Sequence, residues 1–216
     1  MTKVNYYSYD LIGKENLERT LIRRNYYKTF LNQFVKDHEE GSFVLLESPA
    51  ESYFDYNIES IDNLLNEGFE GVYVSFQRPF NNVADSFIKQ GIDLNKILII
   101  DCATAFISEK KKKDPRCVNI RSDTEIDELV EIINRTLQQL RGCKKFVFVD
   151  SLSTIALYKS FSEVLNFPKY LLETLKDSSC ENVTLFFNIA TELSKDVLVE
   201  SMSSYSNQFI HLGLCT

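Results

Sequence analysis

The sequence predicts an α/β protein: a doubly wound, mainly parallel sheet in a three-layer α/β/α sandwich, preceded by an N-terminal helix. Three observations predict it. Short apolar runs alternate with amphipathic stretches six times along the chain. The runs are apolar at nearly every position, as strands are when helices cover both faces of a sheet. Glycines stand where helices must stop, at Gly41, Gly68 and Gly91. Right-handed crossovers then make three layers the default arrangement.

Residues 14–38 read as a helix, with Leu17, Leu21, Tyr27, Leu31, Phe34 and Val35 forming an apolar stripe interrupted near Arg24. Residues 1–40 form an N-terminal segment and 41–216 the main domain. Phe43–Glu47 is the first strand, and residues 55–67 are a helix with Ile58, Ile61, Leu64 and Leu65 on one face. Val72–Phe76 is the second strand, residues 80–90 a short helix, and Ile97–Asp101 the third strand. Residues 102–121 read as irregular, and a loop this long is often functional. Ser122-Asp-Thr-Glu125 matches a capping box before a helix that runs to about Arg141. Phe146–Asp150 is the fourth strand. Residues 160–177 are helical, with Pro168 expected to kink or restart the helix. Val183–Asn188 is the fifth strand, residues 191–204 a helix, and Phe209–Leu212 the last strand.

Ligands of such sheets bind beyond the carboxyl ends of the strands. Those ends carry Glu47, Phe76, Asp101, Asp150 and Asn188. An NTPase of this layout places GxxxxGK[ST] after its first strand: glycines expose amides to phosphate, lysine neutralises it, and the hydroxyl holds magnesium. Here the stretch reads Glu47-Ser-Pro-Ala-Glu-Ser-Tyr-Phe-Asp55. Ser48 and Tyr53 stand at the two glycines, Phe54 at the lysine and Asp55 at the hydroxyl. Two rings occupy the space a phosphate needs, and Glu47, Glu51 and Asp55 repel an anion. Glycine is also scarce, 7 residues where ordinary usage gives about 15. No ATP, magnesium or other cofactor is expected.

Four stretches nonetheless resemble the RecA-like ATPases of the KaiC and archaeal Rad55-like type. They are Phe43 to Ser48, Asn66 to Phe76, Gly91 to Asp101, and Lys145 to Ser153, and the match spans roughly residues 41–212. The resemblance implies a RecA-like domain, an archaeal source, a role in signalling or in assisting recombination, and side-by-side assembly with its own copies or with a paralogue. Asp150 matches the family's magnesium-coordinating aspartate. The family's paired glutamates after the second strand are Gln77 and Arg78 here, and a glutamine cannot take the proton of an attacking water. The expected function is therefore that of a catalytically inactive pseudo-ATPase, a protein-interaction or regulatory module. The alternatives are a nucleotide-binding protein with a remodelled pocket, or an accessory protein for nucleic-acid recombination or repair.

Composition sets further bounds. The net charge of -7 disfavours nucleic acid as a general partner. Lys110, Lys111, Lys112 and Lys113 are the one basic run that could meet phosphate, and a solvated loop is its plainer reading. No apolar run reaches the ~18 residues a membrane span needs, and the N-terminus carries no apolar leader pattern. Cys102, Cys117, Cys143, Cys180 and Cys215 are odd in number and form no CxxC, which points to a reducing cytoplasm without a disulfide framework or zinc site. His38 and His211 lie in no ligand spacing. Asp101 and Asp150 are expected at neighbouring strand ends of the sheet, where they are candidates for an acidic metal pair, with capping of local backbone as the plainer role. Tyr6, Tyr7, Tyr9, Tyr26, Tyr27 and Phe30 are suited either to an interface or to packing of the first helix.

Overall fold

Strands that are apolar at every position must be covered on both faces. The computed structural model, which describes residues 5–8, 16–36, 42–107, 113–121, 123–177, 183–191, 196–204 and 206–212, shows how this chain does it. The strands are β1 (Asn5–Ser8), β2 (Phe43–Ser48), β3 (Glu70–Ser75), β4 (Ile97–Asp101), β5 (Cys117–Asn119), β6 (Lys145–Asp150), β7 (Val183–Ala190) and β8 (Gln208–His211). They form one sheet in the order β1-β8-β2-β7-β6-β3-β4-β5. Every pairing is parallel.

Alternate residues of each strand enter opposite cores. Phe146 and Phe148 of β6 face one side with Tyr73 and Phe186, under α1 (Asn16–Lys36), α2 (Tyr53–Asn66) and α3 (Phe80–Lys89). Val147 and Val149 face the other side with Leu185 and Phe187, under α5 (Ile126–Leu137), α7 (Phe161–Asp177) and α8 (Asp196–Ser203). The result is the expected three-layer α/β/α sandwich with a parallel central sheet. Among the described residues no helix is long and apolar enough to cross a membrane.

The aromatic residues of α1 serve packing. Tyr27 is fully buried, and Phe30 and Phe34 nearly so. The Tyr27 ring stands edge-on to Tyr56 of α2 at 5.3 Å, and Phe34 stands edge-on to Phe186 at 5.7 Å. The side chains of Leu17, Leu21 and Val35 lie outside the described residues. Through β1 and α1 the N-terminal segment shares its sheet and core with residues beyond Gly41.

Four local expectations change. The stretch 102–121 contains a short helix, α4 (Ala103–Ile107), and the edge strand β5, both too short to show periodicity. β1 was likewise hidden in a polar, tyrosine-rich sequence. Helix α5 begins after Glu125, which makes no side-chain cap hydrogen bond; Ser122 lies outside the described residues. The reciprocal capping box stands instead at the start of α7. There the Ser160 amide donates to Glu163 Oε2 at 2.8 Å and the Glu163 amide donates to Ser160 Oγ at 3.3 Å. Helix α7 passes Pro168 without restarting. Val164, Phe167, Leu171 and Leu175 continue one buried stripe across the proline, and their packing outweighs the lost hydrogen bond.

Gly68 and Gly91 end α2 and α3 with φ of 85° and 79°, a conformation that favours glycine. Gly71 has a different role: a β-carbon there would run into the Phe146 ring. Gly71→Ala is expected to lower stability by about 1–3 kcal/mol in urea denaturation. An unchanged midpoint would show that the ring has room to move.

Candidate functional site

The site is built at the carboxyl ends of β2, β3, β6 and β7. Tyr73, Phe148 and Phe186 stack across three adjacent strands, with ring centroids 5.8 Å and 5.6 Å apart. The period of two then sets the next residue of each strand on the same face. Those residues are Ser75, Asp150 and Asn188, all buried, so a polar row lies directly above an aromatic one.

Hydrogen bonds run along that row. The Tyr73 hydroxyl donates to Asp150 Oδ2 at 2.5 Å, and Asn57 of α2 donates to the Tyr73 oxygen at 3.4 Å. Asn188 donates to Asn57 Oδ1 at 2.9 Å and to Ser48 Oγ at 3.3 Å. Asp150 Oδ1 and Asn188 Oδ1 are buried and have no hydrogen-bond partner among the described residues. Burial pushes the Asp150 carboxyl up to about 6, opposed in part by the Tyr73 hydroxyl, the Arg78 charge and Asn57. Burial, followed by the Asp150 charge, raises the Tyr73 phenol well above its ordinary value.

The start of α2 closes this row from above. The loop turns through a hydrogen bond from the Ser52 amide to the Pro49 carbonyl at 3.1 Å, and helix follows at once. Tyr53 is 6% exposed. Its hydroxyl donates to Gln77 Oε1, and the Gln77 amide donates to Ser151 Oγ at 3.4 Å. Arg78 lies over the Phe54 ring at 4.2 Å and over the Tyr53 ring at 5.8 Å. Its Nε also donates to the Tyr53 oxygen at 3.3 Å. Burial, with the Asp150 charge second, pushes the Tyr53 phenol up to about 12. Tyr53 and Phe54 thus hold Gln77 and Arg78 at the strand ends.

Ser48 is fully buried and bonded to Asn188. Asp55 is exposed and lines a groove between α1 and α2 with Arg24 and Lys28. Glu47 is on the other face of β2 from Ser48 and holds His211 Nδ1 at 2.7 Å, so its charge is engaged away from the crevice. Asp101 and Asp150 are not on neighbouring strands, because β3 lies between β4 and β6. Asp101 instead caps local structure: it accepts from the Phe80 and Thr104 amides at 2.9 Å each and from Thr104 Oγ1 at 2.6 Å. Lys113 is exposed; Lys110, Lys111 and Lys112 lie outside the described residues, as do His38, Cys180 and Cys215. Among the described residues Cys102 and Cys143 are free thiols, the first buried and the second exposed. Sequence reasoning missed Tyr73 and Asn57 as partners of the row. A tyrosine in an otherwise aliphatic strand was the available signal for the first; no local signal marks the second.

No protein-family model and no curated protein matches the chain. Solved structures do. The chain is similar to the uncharacterized protein PH0321 from Pyrococcus horikoshii, whose structure is in complex with an unknown peptide, with a TM-score of 0.63, 13% identity, and coverage of 82% of this chain and 80% of that one. It is also similar to the KaiC-like protein PH0186 from Pyrococcus horikoshii OT3, with a TM-score of 0.45, 20% identity, and coverage of 72% and 65% respectively. What the chain shares with PH0321 is the fold.

Asp150 generates a prediction. A carboxyl with a folded pKa raised from about 4 to about 6 favours folding fully below the lower value, and that contribution is lost as pH rises through the upper one. The loss is about 3 kcal/mol for a shift of about two units. Asp150→Asn keeps an acceptor for Tyr73 and removes the titration. Urea denaturation across pH 4 to 7 is expected to show the variant gaining on the wild type by that order. A difference that stays flat with pH would contradict the assignment.

Proposed function

We propose that the chain is a non-catalytic module of RecA/KaiC-like design, which acts by binding protein rather than by hydrolysing ATP. The observation that supports this most is the closed cluster of Tyr53, Phe54, Gln77 and Arg78 over the strand ends. Phosphate binding at such an end needs exposed backbone amides, a lysine and a magnesium-binding hydroxyl. Here rings stand at the second glycine and lysine positions, and the nearby cation lies over both rings. Gln77 accepts from Tyr53 and has no carboxylate with which to take a proton from water. Asp150, at the magnesium-aspartate position, lies buried under the cluster.

A RecA-like scaffold that has lost its nucleotide switch retains surfaces for assembly with its own copies, a paralogue or another protein. The peptide in the PH0321 structure favours protein as the class of partner. The test is calorimetric titration with ATP and magnesium on protein of mass fixed by light scattering, together with a thermal melt. No heat and no shift in Tm are expected. Micromolar binding would overturn the reading, and ligand at 100 times its Kd would then add about 2.7 kcal/mol to stability.

A further inference from the structure

We propose that the groove between α5 and α7 docks a lysine-rich segment of a partner protein. This rests on the interaction-module reading and gives it a partner chemistry. The groove has a volume of about 630 Å³ and combines three kinds of surface. Ile126 and Val130 make an apolar floor. Tyr170, 48% exposed, makes an aromatic wall. Glu125, Asp127, Glu131 and Glu163 stand among the carboxylates of its rim, and no basic side chain lines it among the described residues.

A lysine side chain matches this combination. Its methylene stem covers apolar surface while its ammonium reaches outward. An aromatic face adds attraction for the cation. The chain already shows the pairing at one end of the groove, where Lys159 Nζ lies 2.7 Å from Glu125 Oε2 and 4.0 Å from Glu163 Oε1. Asp127 and Glu131 make no ion pair among the described residues. They stand four residues apart on α5, a spacing at which like charges repel. A partner ammonium between them turns that repulsion into attraction. Two residues to either side of Lys159 in the chain, Leu157 is 67% and Phe161 42% exposed. The fitting segment therefore alternates lysine with apolar residues, and the net charge of -7 favours its approach.

The probe is a fluorescein-labelled peptide of alternating lysine and leucine, followed by fluorescence anisotropy on the full chain at physiological salt. Saturable binding is expected. Asp127→Asn with Glu131→Gln is expected to weaken it about tenfold, and Tyr170→Ala about threefold. Glu131→Gln alone is expected to give a smaller loss in the same direction and needs only one exposed substitution. Matching thermal melts establish that the variants fold. Glu67→Gln with Asp85→Asn, an equal change of charge under the opposite sheet face, is expected to leave binding unchanged. Equal weakening by that control would reduce the effect to diffuse charge and overturn the proposal. So would absence of binding, displacement of the peptide by an equal concentration of spermidine, or a dimer seen by light scattering and lost in Tyr170→Ala. ATP binding would overturn the non-catalytic reading and leave the groove standing; failure of the peptide without ATP binding would overturn the groove alone.

Discussion

One hydrogen bond, from the Tyr73 hydroxyl to the Asp150 carboxylate, ties the polar end of the sheet to its aromatic interior. A buried carboxylate is costly unless it is bonded, and Asp150 is completely buried. The tyrosine that meets it is held in place by Phe148 stacked beside it and by Phe87 of α3 edge-on at 5.3 Å. From the same hydroxyl the bonds continue to Asn57, Asn188 and Ser48. These contacts register α2 on the sheet. That register brings Tyr53 and Phe54 to Gln77 and Arg78.

Opening the crevice would separate Arg78 from two rings. Each such contact is worth about 0.5–1 kcal/mol at an exposed site and more when desolvated. It would also return much of the Tyr53 ring to water, at about 25 cal/mol per Å² of apolar surface. A triphosphate would have to offset both costs without the amides, lysine and hydroxyl that usually hold it. The two rings and Arg78 therefore stabilise the closed strand end. A closed strand end leaves the outer helical faces for binding, and in the α5–α7 groove cavity, ring and charge coincide.

The main strands were legible in the sequence because both sheet faces are buried, which makes each strand an unbroken apolar run. Gly68 and Gly91 marked helix ends because the chain needs positive φ there. β1 and β5 were not legible: three or four residues at a sheet edge carry no period and little burial signal. The restart offered at Pro168 does not occur, because local propensity is set against a buried stripe that extends on both sides of it. In the site, the strand-end positions of Asp150 and Asn188 could be read from the apolar runs that precede them. The order of the strands could not, so Asp101 was placed too near Asp150. Asn57 was hidden for a related reason, since its role depends on where α2 crosses the sheet. The clamp of Arg78 on Phe54 joins residues at positions 78 and 54, and only the fold brings them together.

The central claim is that the strand ends are closed to nucleotide. A crystal structure of the wild-type protein grown with excess ATP and magnesium tests it most directly. The account predicts Tyr53 and Phe54 packed against Arg78, with no nucleotide density at the start of α2. Triphosphate density between Ser48 and α2, with the two rings turned outward, would contradict it.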